Sequence, residues 1–201
     1  LASLQTLASL RTLASLQTFT LDLHDPMNAT KVTVNRQRPA HFASSGGKLR
    51  IRLSNPLPAG SAMSITIRYA GAPRLIRTLW GEVGFEELTN GVLVAGQPNG
   101  SPSWFPCDDH PSSKASYRTT ISTDSPYYAL AAGELLARRV RAGQTVWTYE
   151  QPEPTSTYLA TLQIGMYAAH RLPKAPVAMQ AVLPDRLWPN FEHDFARQKA
   201  M

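Results

Sequence analysis

A single cysteine in 201 residues, Cys107, excludes an internal disulfide and leaves the redox compartment undecided. No stretch approaches the roughly 18 apolar residues that a membrane-spanning helix requires. No charged start followed by an apolar block marks a signal peptide. These absences lead to the expectation of a cytoplasmic protein without a membrane partner; because the chain begins at Leu1 and not at Met, its natural start is expected upstream. Charged residues are sparse, at 17%, beside 43% apolar residues, a balance that excludes a disordered chain. His24, His41, His110, His170 and His193 include no pair at i and i+4, so sequence neighbours cannot place two imidazoles on one helical face around a metal.

The formal net charge is +6, yet only Arg138, Arg139 and Arg141 stand close together. Elsewhere the cations are scattered, often on alternate residues such as Lys48, Arg50 and Arg52, the spacing of a solvated sheet face. Nucleic acid is therefore not an expected partner. Cys107 has no neighbouring base in sequence, which favours a small buried hydrophobe over a nucleophile.

Residues 1 to 18 are a tandem hexad, LASLQT, LASLRT, LASLQT. Leucine every third residue walks around a helix and forms no stripe, while as a strand both faces come out mixed, so the repeat reads as low complexity. From Phe19 onward the alternation is clean: Phe19, Leu21, Leu23; Val32, Val34; Leu49, Ile51, Leu53; Met63, Ile65, Ile67, Tyr69. Gly, Pro and Asn clusters separate these runs, as hairpin connections require. Further strands are expected around 115–121, 127–132, 145–150, 157–166 and 176–183, with QPEPTST at 151–157 as a stiff turn. The expected fold is mainly β, an antiparallel multi-stranded sheet or sandwich of about eight to ten strands. Asn190 is placed to cap a helix from Phe191 toward Met201, the start of a C-terminal helix with no stop signal of its own, so a further helical domain is expected beyond it.

The densest concentration of special residues is AGQPNGSPSWFPCDDHPSSKASYR at 95–118. Its prolines exclude a helix and bias Gln97, Ser101, Phe105 and His110 toward extended backbone. Trp104 and Phe105 are candidate anchors onto a sheet, each able to bury roughly 150–250 Å². Asp108, Asp109 and His110 lack the spacing of a metal cage and suit a turn whose carboxylates accept backbone N–H bonds.

Five segments, VAGQPNGSPSWFPCDDHPSSKASYR at 94–118, ITIRYAG at 65–71, YALAAGEL at 128–135, TSTYLATLQIGMY at 155–167 and FARQKAM at 195–201, occur in the order found in a known family. The chain resembles the N-terminal β domain of the M1 (gluzincin) zinc aminopeptidases, most closely the bacterial aminopeptidase N branch, over residues 17–201. The resemblance implies a saddle-like β domain at 19–185, preceded by the 1–18 repeat and followed at 186–201 by a linker and the opening of the catalytic domain. It implies peptide substrates, the catalytic domain in cis as partner, and Zn2+ in the full-length enzyme, held by an HExxH motif and a downstream Glu. That motif is absent from this chain, so no metal is expected here and no hydrolysis by these residues alone.

One family role maps onto this sequence. The N-terminal domain lends a Gln or Glu that holds the substrate's free α-amino group, ten positions before the Cys of a Pro-Cys-x-Asp segment. Counting back from Cys107 gives Gln97, with Pro98 and Asn99 as weaker candidates for the side-chain pocket. An ammonium offers three donors and an amide carbonyl accepts them, though less strongly than a carboxylate. Read without the resemblance, Gln97 is a turn amide bonded to nearby backbone, and only the resemblance favours the substrate role. Two other functions stay open on the residues: a non-catalytic protein-binding β module derived from the same domain, and a carbohydrate platform on two coplanar rings among Trp80, Trp104, Trp147 and Trp188.

Overall fold

The computed structural model describes residues 2–172 and 178–197. It is mainly β, with several antiparallel sheets and one short C-terminal helix. Contacts divide the chain into two compact units, the first Leu1–Glu87, Val94–Ser116 and Glu153–Thr161, the second Leu88–Leu93, Tyr117–Pro152 and Leu162–Met201.

The first unit is built from β1 (Ala2–Arg11), β2 (Leu16–Asp22), β3 (Asn28–Val34), β4 (His41–Ser45), β5 (Lys48–Leu57), β6 (Ala62–Gly71), β7 (Leu75–Thr78) and β8 (Gly81–Leu88). Strands β1, β6 and β3 form one sheet in that order, and β2, β5 and β4 another. The two-residue period decides what each sheet buries. In β5, Leu49, Ile51 and Leu53 are buried while Lys48, Arg50 and Arg52 are exposed; in β6, Met63, Ile65, Ile67 and Tyr69 are buried. These residues join Leu23, Met27, Val32 and Val34 in a single core, so the two sheets bury their apolar faces together. Tyr69 shares its phenol oxygen with Thr6 Oγ1 at 3.3 Å; burial is the main reason its pKa is pushed up to about 12.

The hexad repeat is more ordered than its composition suggests. β1 pairs antiparallel with β6 from Ala2↔Gly71 to Arg11↔Ala62. Its mixed faces persist, with Leu7 65% and Leu10 42% exposed, so the backbone ladder and not an apolar face holds it. Thr12 ends the strand: its hydroxyl donates to Pro58 O at 2.7 Å and accepts from Ser61 N–H at 3.0 Å.

The second unit holds most of β9 (Gly91–Ala95) and β10 (Lys114–Asp124), all of β11 (Tyr128–Ala131) and β12 (Glu134–Arg141), most of β13 (Gln144–Ser156), and all of β14 (Leu162–Gly165), β15 (Ala168–Leu172), β16 (Met179–Leu183) and α1 (Trp188–Asp194). β13 lies between β10 and β12, β14 between β11 and β9, and β15 pairs with β16. Trp147 is 1% exposed, packed by Tyr128 at 4.4 Å between ring centroids and covered by the Arg138 guanidinium at 4.8 Å.

Several local expectations change. β4, β7 to β9, β12 and β15 arise where no strand was expected, because their partly polar runs carry little alternation, and the strand expected over 157–166 divides into a 3-10 turn at Thr157–Leu159 and β14. β13 continues through QPEPTS, its β12 register ending at Glu134↔Glu150, so Pro152 and Pro154 interrupt no ladder on that side. The C-terminal helix starts at Trp188 with Pro189 in its first turn, making Asn190 an interior residue, and it ends at Asp194. Residues 176 and 177 of the expected last strand, and 198–201 of the expected helix, lie outside the described residues.

Truncating Ile51, fully buried in the first unit's core, is expected to cost about 2–5 kcal/mol as Ile51→Ala. Leu13→Ala, at a fully exposed position, is expected to stay within about 0.5 kcal/mol of wild type in the same urea titration.

Candidate functional site

The 95–118 segment belongs, up to Ser116, to the first unit, and three glycines set its path. A Cβ on Gly100 would stand 2.7 Å from Gly84 N and 2.8 Å from Gly84 Cα; one on Gly84 would stand 2.4 Å from Ser103 Oγ. Gly84 also sits at φ +106, a left-handed conformation that favours glycine. Gly96 is nearly as confined, its virtual Cβ 3.0 Å from Tyr158 O. The loop's backbone thus lies directly on β8, and only glycine allows that approach.

Hydrogen bonds then lock the turn. Gly100 N–H donates to Gly96 O at 2.7 Å, closing a tight loop whose apex is Gln97, Pro98 and Asn99, with a cis Gln97–Pro98 peptide bond. Buried Ser103 donates through Oγ to Gly100 O at 2.6 Å and accepts from Phe85 N–H at 3.0 Å. Ser101, expected extended before Pro102, instead opens a 3-10 turn at Ser101–Ser103, where proline at the first positions loses no needed donor. Trp104 meets Phe105 edge-on at 4.6 Å, and Phe105 packs against the apolar core.

Beyond the apex the chain is stitched to β2. Cys107 and Asp22 exchange two backbone hydrogen bonds, at 2.7 and 3.0 Å. The Asp22 carboxylate accepts from Asp109 N–H at 3.2 Å and from Lys48 Nζ. Asp109 accepts from Thr157 Oγ1 at 2.9 Å, Asp108 from Ser113 Oγ at 2.6 Å, and Pro111 O from Ser156 Oγ at 2.7 Å. These are turn contacts of the kind the sequence suggested. Among the described residues no three His, Cys, Asp or Glu side chains are grouped to hold a metal ion. Burial, followed by the charges of Asp109, Asp22 and Asp108, pushes the Cys107 thiol well above its ordinary value and keeps it protonated, the wrong state for a nucleophile. Burial also raises the Asp109 pKa, against the Thr157 hydrogen bond.

Gln97 itself is exposed, and its side-chain amide has no hydrogen-bond partner among the described residues. Pro98 is half-buried and Asn99 exposed beside it. Sequence reading missed Gly84, whose sole signal was an isolated glycine within a weakly alternating run. A carbohydrate platform has no support: Trp80 is 72% exposed, but Trp147 is fully buried and Trp104 and Trp188 are half-buried.

Antiparallel sheets carrying a glycine-seated, proline-stiffened loop define the class, a mainly β module. The chain belongs to the Peptidase M1 N-terminal domain family, whose model matches residues 13–159. It is 25% identical over 81 residues to an Aminopeptidase M1 of Arabidopsis thaliana and 27% identical over 85 residues to a Leucyl aminopeptidase of Saccharolobus solfataricus, covering 40% and 42% of this chain. It spans 9% and 11% of those proteins, so most of each lies outside the similarity. Its fold is that of an M1 zinc metallopeptidase from Deinococcus radiodurans, with a TM-score of 0.83 at 23% identity over 91% of this chain and 43% of the other. A mutant of a Deinococcus radiodurans M1 zinc metallopeptidase bound to a Tyr-Ser-Ala substrate matches with a TM-score of 0.82 at 22% identity, over the same shares of each chain.

Gly100→Ala is expected to destabilise the chain by about 1–3 kcal/mol in urea unfolding, since its methyl group meets backbone that cannot rotate away. Asp109 binds its proton more tightly folded than unfolded. Its contribution is therefore most favourable below roughly pH 4 and is lost as pH rises through its raised folded value. Asp109→Asn is expected to flatten that part of the stability profile, measured by thermal unfolding across pH.

Proposed function

We propose that this chain is the substrate-anchoring domain of an M1 zinc aminopeptidase, and that Gln97 receives the free α-amino group of the peptide. The observation that carries the reading is the state of Gln97: an exposed amide with no partner among the described residues, at the apex of a loop whose backbone is closed by the Gly100 N–H to Gly96 O bond and seated on β8. A side chain serving only its own turn would be bonded to it.

In this role the Gln97 carbonyl oxygen accepts hydrogen bonds from the substrate ammonium, while Pro98 and Asn99 border the first side chain. The loop adds little ordering cost at binding, because its glycine contacts and hydrogen bonds hold the apex before substrate arrives. Fixing the position of the amino terminus makes cleavage exopeptidic, since a peptide lacking a free terminus has no donor to place there. Zinc and the water-activating groups belong, in this reading, to the catalytic part of the full-length protein, and no chemical step falls on these residues.

Gln97→Ala in the full-length protein, assayed with aminoacyl p-nitroanilides, is expected to lower kcat/KM by roughly 10- to 100-fold, the worth of hydrogen bonds to a charged group. Gln97→Glu should retain or raise it through a charge-assisted contact. Unchanged kinetics in Gln97→Ala would sink the assignment.

A further inference from the structure

No Asp or Glu stands between Asp25 and Glu82, while Lys and Arg recur throughout that stretch. The consequence is concentrated where β3 and β4 part. Their connection is a tight turn, Asn35 and Arg36 both at positive φ, closed by the paired backbone bonds between Val34 and Gln37. Past that bridge the strands diverge, and they rejoin where Ala29 N–H donates to Ser44 Oγ at 3.3 Å.

Between these two ties lies an open groove of about 460 Å³, lined by Thr30, Lys31 and Val32 on one side and Arg38, His41 and Phe42 on the other. Lys31, Arg38 and His41 are exposed and form no ion pair among the described residues. No acidic residue lines the groove. Both walls are also sheet edges, since β3 is terminal in the order β1, β6, β3 and β4 in the order β2, β5, β4. Residues 30–33 therefore present one unpaired strand edge, roughly 13 Å long at strand rise.

We propose that this groove docks an extended acidic peptide segment of a partner protein, which adds as a strand to the free edge of β3 with its carboxylates against Lys31, Arg38 and His41. Backbone hydrogen bonds to an open edge supply affinity, and the unopposed cations supply selectivity for acidic side chains. The groove's shape argues against other polyanions. A flat bilayer cannot enter a concave site, and the aromatic lining residue, Phe42, is half-buried against the core, leaving no stacking platform for single-stranded nucleic acid.

The test is fluorescence anisotropy of the 201-residue chain with a labelled octapeptide alternating Glu and Thr, at low and high salt. Saturable binding is expected that weakens with salt, falls at least about tenfold in the Lys31→Glu/Arg38→Glu double variant, and is kept in Arg139→Glu/Arg186→Glu, which changes net charge equally on the second unit. A peptide of the same sequence with alternate backbone amides N-methylated should also bind at least tenfold more weakly. Circular dichroism checks that the exposed substitutions leave the fold intact. Wild-type affinity in Lys31→Glu/Arg38→Glu, undiminished binding of the methylated peptide, no binding at all, or equally tight binding of an equally charged single-stranded oligonucleotide would each overturn the proposal.

Discussion

The seating of Gly100 against Gly84 is the contact on which the rest of the loop depends. With no side chain at either position, two stretches of backbone separated by sixteen residues come within van der Waals distance, and Ser103 bonds both through one hydroxyl. Everything downstream takes its direction from that contact: the 3-10 turn begins at Ser101, Phe105 reaches the apolar core, and Cys107 meets β2. Upstream, the same seat pulls Gly96 and Gly100 into the hydrogen bond that sets the Gln97 apex. Close packing of glycine backbone is stiff because it leaves no rotamer to adjust.

Asp22 performs the complementary task for charge. Three carboxylates, Asp22, Asp108 and Asp109, stand close enough for Asp109 to feel the charge of the other two, which would destabilise the turn if they were unpartnered. Each is instead satisfied by a donor of the fold: Lys48 and the Asp109 amide for Asp22, Ser113 for Asp108, Thr157 for Asp109. The acids are the mortar of the turn, and the burial, with the lesser mutual repulsion, that raises the Asp109 pKa is the cost of using them there.

Seen together, the first unit combines a rigid apolar core with polar features that stay free only in selected places. In the proposed reading Gln97 is one of them and the β3 edge another, and they differ in kind. Gln97 is a single acceptor held in place by a stiff loop; the edge is a row of backbone groups flanked by cations. In that same reading neither is reactive, as befits a module proposed to position peptide chains and not to cleave them.

Much of this was legible in the residues. The alternation in β5 and β6 named their buried members before any coordinates, because one face of a strand must meet the core and the period is two. The turn character of Asp108 and Asp109 was legible from proline and carboxylate spacing, and the order of five motifs was enough to identify the family. What the residues alone left open was each choice that depended on a partner distant in sequence. The mixed-faced hexad became a strand because β6 offered an empty edge; QPEPTS stayed extended where the β12 ladder had already ended and left its prolines no bond to break on that side; Gly84 became indispensable because Gly100 came to rest on it. Local pattern determines which side of a strand is apolar, but which backbones touch is decided only when the chain has closed on itself.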